Sequence, residues 1–276
     1  MTEKMTRVLS YLSALILILI IYFLIKDFFF FAFENLTFDF LTQAPYSAGR
    51  KGGIYPIIVS TFLILGTALF FTIPLGTGVA LFLTEYRHDY PRLSKLISKT
   101  IYILSGVPSI VFGLFGNAFF STYLGLGFSI LSGGMTLALM SLPLYITTLE
   151  QGIQRVPKVY RLVPTSLGMS RKTALIAIIL PYSFPAIILG TILSIGRSLA
   201  ETAALIFTSG YVDRMPESLL DSGRSLSIHI YDLAMNVPGG NKNSYLSAFV
   251  LLSLIIIING LVNMSLRWWF NKRISV

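Results

Sequence analysis

The sequence has no cysteine. That removes disulfides, thiolate nucleophiles and cysteine metal sites, and leaves the compartment open. Histidine is nearly as scarce. His88 and His229 stand far apart, so no metal site is expected. Charge is thin as well: 12% of residues are charged and 54% hydrophobic, where a soluble domain is about 25% charged. One water-soluble core cannot bury that much apolar surface, which points to a membrane protein. A glycine-rich phosphate cradle is missing too. The nearest imitation, "GMSRKT" at 168–173, lacks the glycine before its lysine. The longest polar loop has about 36 residues, too few for a catalytic domain of typical size. The chain is therefore not expected to be an enzyme, and energy for uphill transport must enter from another chain.

Six apolar stretches are present, roughly 8–29, 57–84, 100–121, 127–149, 175–208 and 245–268; the fifth contains Pro181 and Pro185, and its first part is expected at the interface with the span itself over about 184–208. Each reaches the ~20 residues a helix needs to cross a hydrocarbon core of ~30 Å. The first follows Lys4 and Arg7 and is read as a retained signal anchor. Pro74, Pro108 and Pro143 fall inside spans, where neighbouring helices can satisfy freed carbonyls.

The net charge of +9 does not indicate nucleic acid, because the cations flank apolar runs instead of forming a basic stripe with aromatics. Fourteen Lys and Arg fall on one set of loops and six on the other. By the positive-inside rule both termini and the loops at 85–99 and 150–174 are cytoplasmic, and those at 30–54 and 209–244 face outward. Trp268 and Trp269 are expected to anchor the last helix at the interface. The outer run from Leu226 to Met235 is read either as a segment at the mouth that meets the binding protein or as a plain interfacial segment.

The segment "RVPKVYRLVPTSLGMSRKTALIAIILP" at 155–181 is basic and amphipathic. By composition alone it would lie on anionic lipid. Its spacing says more: Gly168, nine residues, then Ile178-Ile179-Leu180-Pro181 resembles the coupling signature of ABC-importer permeases. The Glu-Ala-Ala that opens that signature is replaced here by Leu162, Val163 and Pro164. The stretches "LSGVPSIVFGLFG" at 104–116, "LPLYITTLEQGIQRVP" at 142–157 and "GRSLAETAALIFTSG" at 196–210 resemble the PstA-type permeases of phosphate importers. The resemblance implies an all-α integral membrane protein of the ABC type I importer permease fold. Six transmembrane helices are expected, in an anchor region at 1–51 and a five-helix core at 52–276, with a coupling helix near 157–170. Lys158, Tyr160, Arg161, Leu167, Gly168 and Arg171 would meet the ATPase.

The resemblance further implies a multi-pass protein of a bacterial or archaeal plasma membrane. Its partners would be a PstC-type second permease, a PstB-type ATPase dimer that holds ATP and Mg, a PstS-type extracytoplasmic phosphate-binding protein and membrane lipid. The chain itself would need no cofactor. Its substrate would be inorganic phosphate. A permease for sulfate or molybdate, or the PstC-type sister subunit, is the alternative.

Within 184–208, Arg197 and Glu201 are four residues apart, one turn apart on a continuous helix. Arg197 would sit ~16 Å from the outer helix end, near the midplane. An arginine there costs at least ~3 kcal/mol unless it faces the bundle interior or water. A guanidinium fork matches two phosphate oxygens. The expected pathway residues are therefore Arg197, Glu201, Ser198 and Ser109, the last following Pro108. Asn117 is expected to donate between helices, and Gly76, Gly78, Gly113 and Gly116 to allow close packing.

Overall fold

The computed structural model describes residues 2–157 and 159–274. The chain opens with a 34-residue helix, α1 (Thr2–Asn35), and a short α2 (Phe38–Thr42). A two-stranded hairpin follows, β1 (Pro45–Tyr46) paired antiparallel with β2 (Lys51–Gly52). Then come α3 (Tyr55–Glu85), α4 (Pro91–Ser105) and α5 (Ser109–Gly116), which runs on as a π-helical turn over Asn117–Tyr123. The long α6 (Ile130–Gln154) leads to α7 (Val159–Ser166). The next limb comprises α8 (Arg171–Ala174), a π-helical turn (Leu175–Ile179) and α9 (Leu180–Tyr182). It is followed by α10 (Phe184–Leu199) and α11 (Ala203–Ile206), then α12 (Leu226–Met235) and α13 (Asn241–Ile274).

The helical membrane fold expected from the sequence is present. Among the described residues α3, α6 and the Asn241–Val262 part of α13 are each long and apolar enough to cross a membrane. Two bent pairs bring that to five: Pro91–Ser105 with Ser109–Tyr123, bent by 108°, and Arg171–Tyr182 with Phe184–Leu199, bent by 63°. In α1 the described apolar stretch is Met5–Leu19. The span read over 100–121 is thus not one straight helix. It breaks at Gly106–Pro108, where a proline cannot donate to the preceding turn. The anchor expected at Trp268 and Trp269 falls on side chains outside the described set.

Helix α6 is the most buried of the three long spans and α13 the most exposed. The core therefore centres on α6, with α3 and α10 against it. Three hydroxyls of α3 turn back on their own helix. Thr61, Thr67 and Thr72 each donate to the carbonyl four residues earlier, at 2.7–2.8 Å. In a segment with no water nearby, this satisfies the hydroxyl without a partner helix. Ser129 caps α6 by accepting from the Ser132 N–H at 3.1 Å.

Small residues set the distances between helices. At Gly116 an added Cβ would come 2.2 Å from Thr136 Oγ1, and at Gly113 2.8 Å from the Ala204 Cα. Gly76 is equally confined, but Gly78 faces open space and does not serve packing as expected. Asn117 donates from Nδ2 to the Phe207 carbonyl at 2.7 Å, tying the α5 limb to the end of α11.

The segment 217–240 is divided: Leu219, Leu220, Tyr231 and Met235 are exposed, while one face of α12 is enclosed. Leu226, Ser227, Ile228, His229 and Leu233 are buried, and Ile228 joins the core cluster of Ile64, Phe112 and Leu137. The Leu226 N–H donates to Thr61 Oγ1 at 2.9 Å, pinning the start of α12 to α3.

Candidate functional site

Arg197 and Glu201 do not share a helix face. Helix α10 ends at Leu199, and Glu201 lies in the break before α11. Arg197 occupies the last turn of α10, where the partial negative charge of free carbonyls favours a cation. Its side chain is exposed, and among the described residues it has no ion-pair partner.

Glu201 is engaged elsewhere. Its Oε1 accepts from the Ala204 N–H at 3.3 Å, serving a free donor at the start of α11. Its carbonyl accepts from Ser227 Oγ of α12. The break is thus stabilised by a residue 26 positions later in the chain. Sequence periodicity carries no trace of it, because residues 200–202 include neither glycine nor proline. Ser198 is buried and its Oγ lies 3.3 Å from Ser141 Oγ, a link from α10 to α6. Ser109 is half-buried at the first position of α5, beside the 108° bend.

The predicted ATPase-facing residues separate into two groups. Lys158 lies outside the described residues. Tyr160, Leu167 and Gly168 are exposed, as are Val159, Leu162 and Val163, so α7 presents an apolar surface that this chain leaves uncovered. Gly168 has φ +72°, a left-handed conformation glycine adopts without strain, and it lies just past the end of α7. Tyr160 packs its ring 5.1 Å from that of Tyr182.

The two arginines pair with carboxylates, Arg161 partly sheltered and Arg171 exposed. The Arg161 guanidinium lies 3.0 Å from Glu85 Oε1, a charge contact rather than an aligned hydrogen bond, and donates to the Ile153 carbonyl at 2.9 Å. Arg171 pairs with Asp89. Glu85, Arg161 and Arg171 line a cleft of about 220 Å³ together with Tyr86, Met169 and Leu175. Sequence reasoning missed Glu85 and Asp89. The signal available was scarcity: with only 12 carboxylates in the chain, an acid at the end of a 31-residue apolar helix is a natural counterion for the basic loop.

A third cluster formed unannounced around α12. Arg224 pairs with Asp232 at 3.2 Å and donates from Nε to the Tyr211 carbonyl at 2.8 Å. The His229 ring sits beside it, Nδ1 3.4 Å from Arg224. Asn243 at the start of α13 donates to the Gly49 carbonyl at 2.8 Å. These contacts fasten the hairpin, the segment after α11 and α12 to the start of α13.

Comparison with known proteins places this geometry. A probable ABC transporter permease protein, YqgI of Bacillus subtilis, is 29% identical over 250 residues, covering 85% of this chain and 83% of that protein. The phosphate transport system permease protein PstA 2 of Mycobacterium bovis is 31% identical over 235 residues, covering 82% and 75%. The corresponding PstC of Xylella fastidiosa is 28% identical over 250 residues, again 82% and 75%. In fold, the chain resembles a bacterial ABC transporter for the acidic polysaccharide alginate, with TM-score 0.65 at 17% identity over 94% of this chain and 95% of that one. It also resembles the inward-facing MetNI methionine transporter, with TM-score 0.64 at 14% identity over 77% and 95%. Residues 72–276 match the binding-protein-dependent transport system inner membrane component, and the chain belongs to that family of ABC importer permeases.

Proposed function

We propose that the chain is a PstA-type permease forming half of the pathway of an ATP-driven importer of inorganic phosphate. The observation that carries the reading is Arg197: an exposed guanidinium with no ion-pair partner among the described residues, at the broken end of a helix in a membrane protein. In lipid such a group costs at least ~3 kcal/mol, so a path or a partner surface is its natural surrounding. The phosphate permeases among the relatives support the choice of substrate.

The remaining assignments follow from that reading. Residues 1–51 form an anchor region and 52–276 the permease core. Six spans cross the membrane with both termini cytoplasmic. Helix α7 docks its exposed Val159, Leu162 and Val163 into a separate ATPase dimer, which holds ATP and Mg, so the chain needs no cofactor of its own. A second permease completes the channel, and an extracytoplasmic binding protein delivers phosphate.

The test is radiolabelled phosphate uptake by the full complex in proteoliposomes, wild type against Arg197→Gln, with ATP hydrolysis read in the same samples. Uptake should fall at least ~10-fold, the loss expected for a charge-assisted contact of about 1.5–3 kcal/mol, while assembly and ATP hydrolysis persist. Normal uptake by the variant would remove Arg197 from the path. Transport of sulfate or molybdate in place of phosphate would overturn the substrate and leave the permease standing. The PstC-type reading is supported by the 82% coverage of the Xylella relative, and co-purification with a PstA-type partner distinguishes it.

A further inference from the structure

Helix α4 has one face the transport reading does not use. Ser94 and Ile101 are buried, Ile97 and Leu104 half-buried, and together they pack toward α3 and α6. At about 100° per residue, Arg92, Lys95 and Lys99 fall within roughly 60° of one another on the opposite side. Leu93, Leu96 and Ile103 are exposed and occupy the sector between the cations and the packed face. The helix carries no carboxylate. The two acids just before it, Glu85 and Asp89, are turned to Arg161 and Arg171. Among the described residues Arg87, Arg92, Lys95 and Lys99 have no ion-pair partner. Arg87, His88, Pro91 and Lys95 line a cleft of about 350 Å³.

The orientation of α4 fits this chemistry. With the apolar limb Ser109–Tyr123 along the bilayer normal, the 108° bend lays Pro91–Ser105 close to the membrane plane. A helix there with an apolar flank and a cationic stripe has the form of an interfacial segment.

We propose that α4 is a lipid-binding helix, seated in the headgroup layer of the cytoplasmic leaflet. Leu93, Leu96 and Ile103 dip into the acyl boundary, and the four cations with their cleft hold the phosphates of anionic lipids. Free phosphate would satisfy the cations but leave Leu96 and Ile103, each more than half exposed, in water. Lipid supplies both halves of the surface. The proposal rests on the membrane placement and sidedness given above, and not on phosphate as substrate.

The absence of cysteine makes the test direct. Leu96→Cys and Ile103→Cys, each labelled with bimane, are reconstituted as the full complex in phosphatidylcholine vesicles containing one quarter phosphatidylglycerol. Bromines are carried on the acyl chains of one lipid or the other. Both probes should be quenched, with brominated phosphatidylglycerol at least about fivefold more effective per mole, the gain one cation brings at an anionic surface. Replacing Arg87, Arg92, Lys95 and Lys99 by glutamine should erase that preference while quenching by phosphatidylcholine remains. Probes that no lipid quenches, as under a protein partner or in water, overturn the proposal. So does equal quenching by the two lipids, or a preference that survives the four substitutions. Labelling of His88→Cys by an impermeant maleimide reports the sidedness separately. Reaction from the outer face alone overturns the cytoplasmic placement, a failure distinct from lost lipid preference with the placement intact.

Discussion

His229 shows what one side chain costs when it is enclosed. Burial first, and the Arg224 guanidinium second, push its pKa down to about 3, against the opposing pull of Asp232. The ring is therefore neutral in the folded protein at every ordinary pH, and Nε2 has no hydrogen-bond partner among the described residues. In the unfolded chain it titrates near 6.5. Between those values the unfolded state binds the extra proton, so stability is lost as pH falls from about 6.5 toward 3. The slope is up to about 1.4 kcal/mol per pH unit from this group. Hydrogen exchange over 211–235, corrected for the intrinsic pH dependence, should show easier opening at pH 5 than at pH 7. His229→Gln should flatten that slope. An unchanged slope in the variant would assign it to another group. None of this was legible in the sequence, where His229 is a lone histidine in an outer loop. Arg224 and Asp232 stand on its own segment, just before and on α12, but Gly49, which closes over the ring, lies on the distant hairpin.

At the scale of elements, the basic segment after α6 is held by α3 and the turn that follows it. Arg161–Glu85 and Arg171–Asp89 join α7 and α8 to that end of the bundle. The Arg161 pair is partly sheltered and the Arg171 pair is exposed, so the first should matter more. If α7 passes ATPase motion to the membrane helices, Glu85→Gln should lower phosphate uptake per ATP hydrolysed about fivefold, the factor of roughly 1 kcal/mol. The swap Glu85→Arg with Arg161→Glu should restore part of it. Restoration is incomplete because Arg161 also donates to the Ile153 carbonyl, which a carboxylate cannot replace. A swap no better than either single change would make the two residues independent. The basic segment itself stood out in the sequence, from Gly168 and its distance to Ile178-Ile179-Leu180-Pro181. Its counterions did not, since they stand about 70 to 80 residues earlier.

For the molecule as a whole, Tyr145 marks where three spans converge. It is fully buried in α6, and its hydroxyl lies 2.9 Å from Thr77 Oγ1 of α3. A Cβ at Gly76 would come 2.4 Å from its ring, and one at Gly190 of α10 3.1 Å. Glycine at 76 is what lets α3 approach α6 this closely. Gly76→Ala should destabilise the purified complex by about 1–3 kcal/mol, and Gly190→Ala by less, since a few tenths of an ångström of movement suffices there. Thermal unfolding in detergent checks both, and equal melting of Gly76→Ala and wild type would sink the argument.

The sequence by itself determined the class of this protein. Long apolar runs between basic loops have no stable place but a membrane, and a helix there satisfies its own backbone groups without help from distant residues. The spacing of Gly168 and the run at 196–210 carried the family, because such motifs are local. The tertiary structure decided what depends on partners remote in sequence. It ended α10 at Leu199 because Ser227 was available to take up the freed Glu201 carbonyl. It drew α12 into the core because Thr61 and the packed apolar side chains offered α12 more than solvent did. It turned α4 away from α5 at Pro108, leaving its cations and its leucines side by side on an uncovered face.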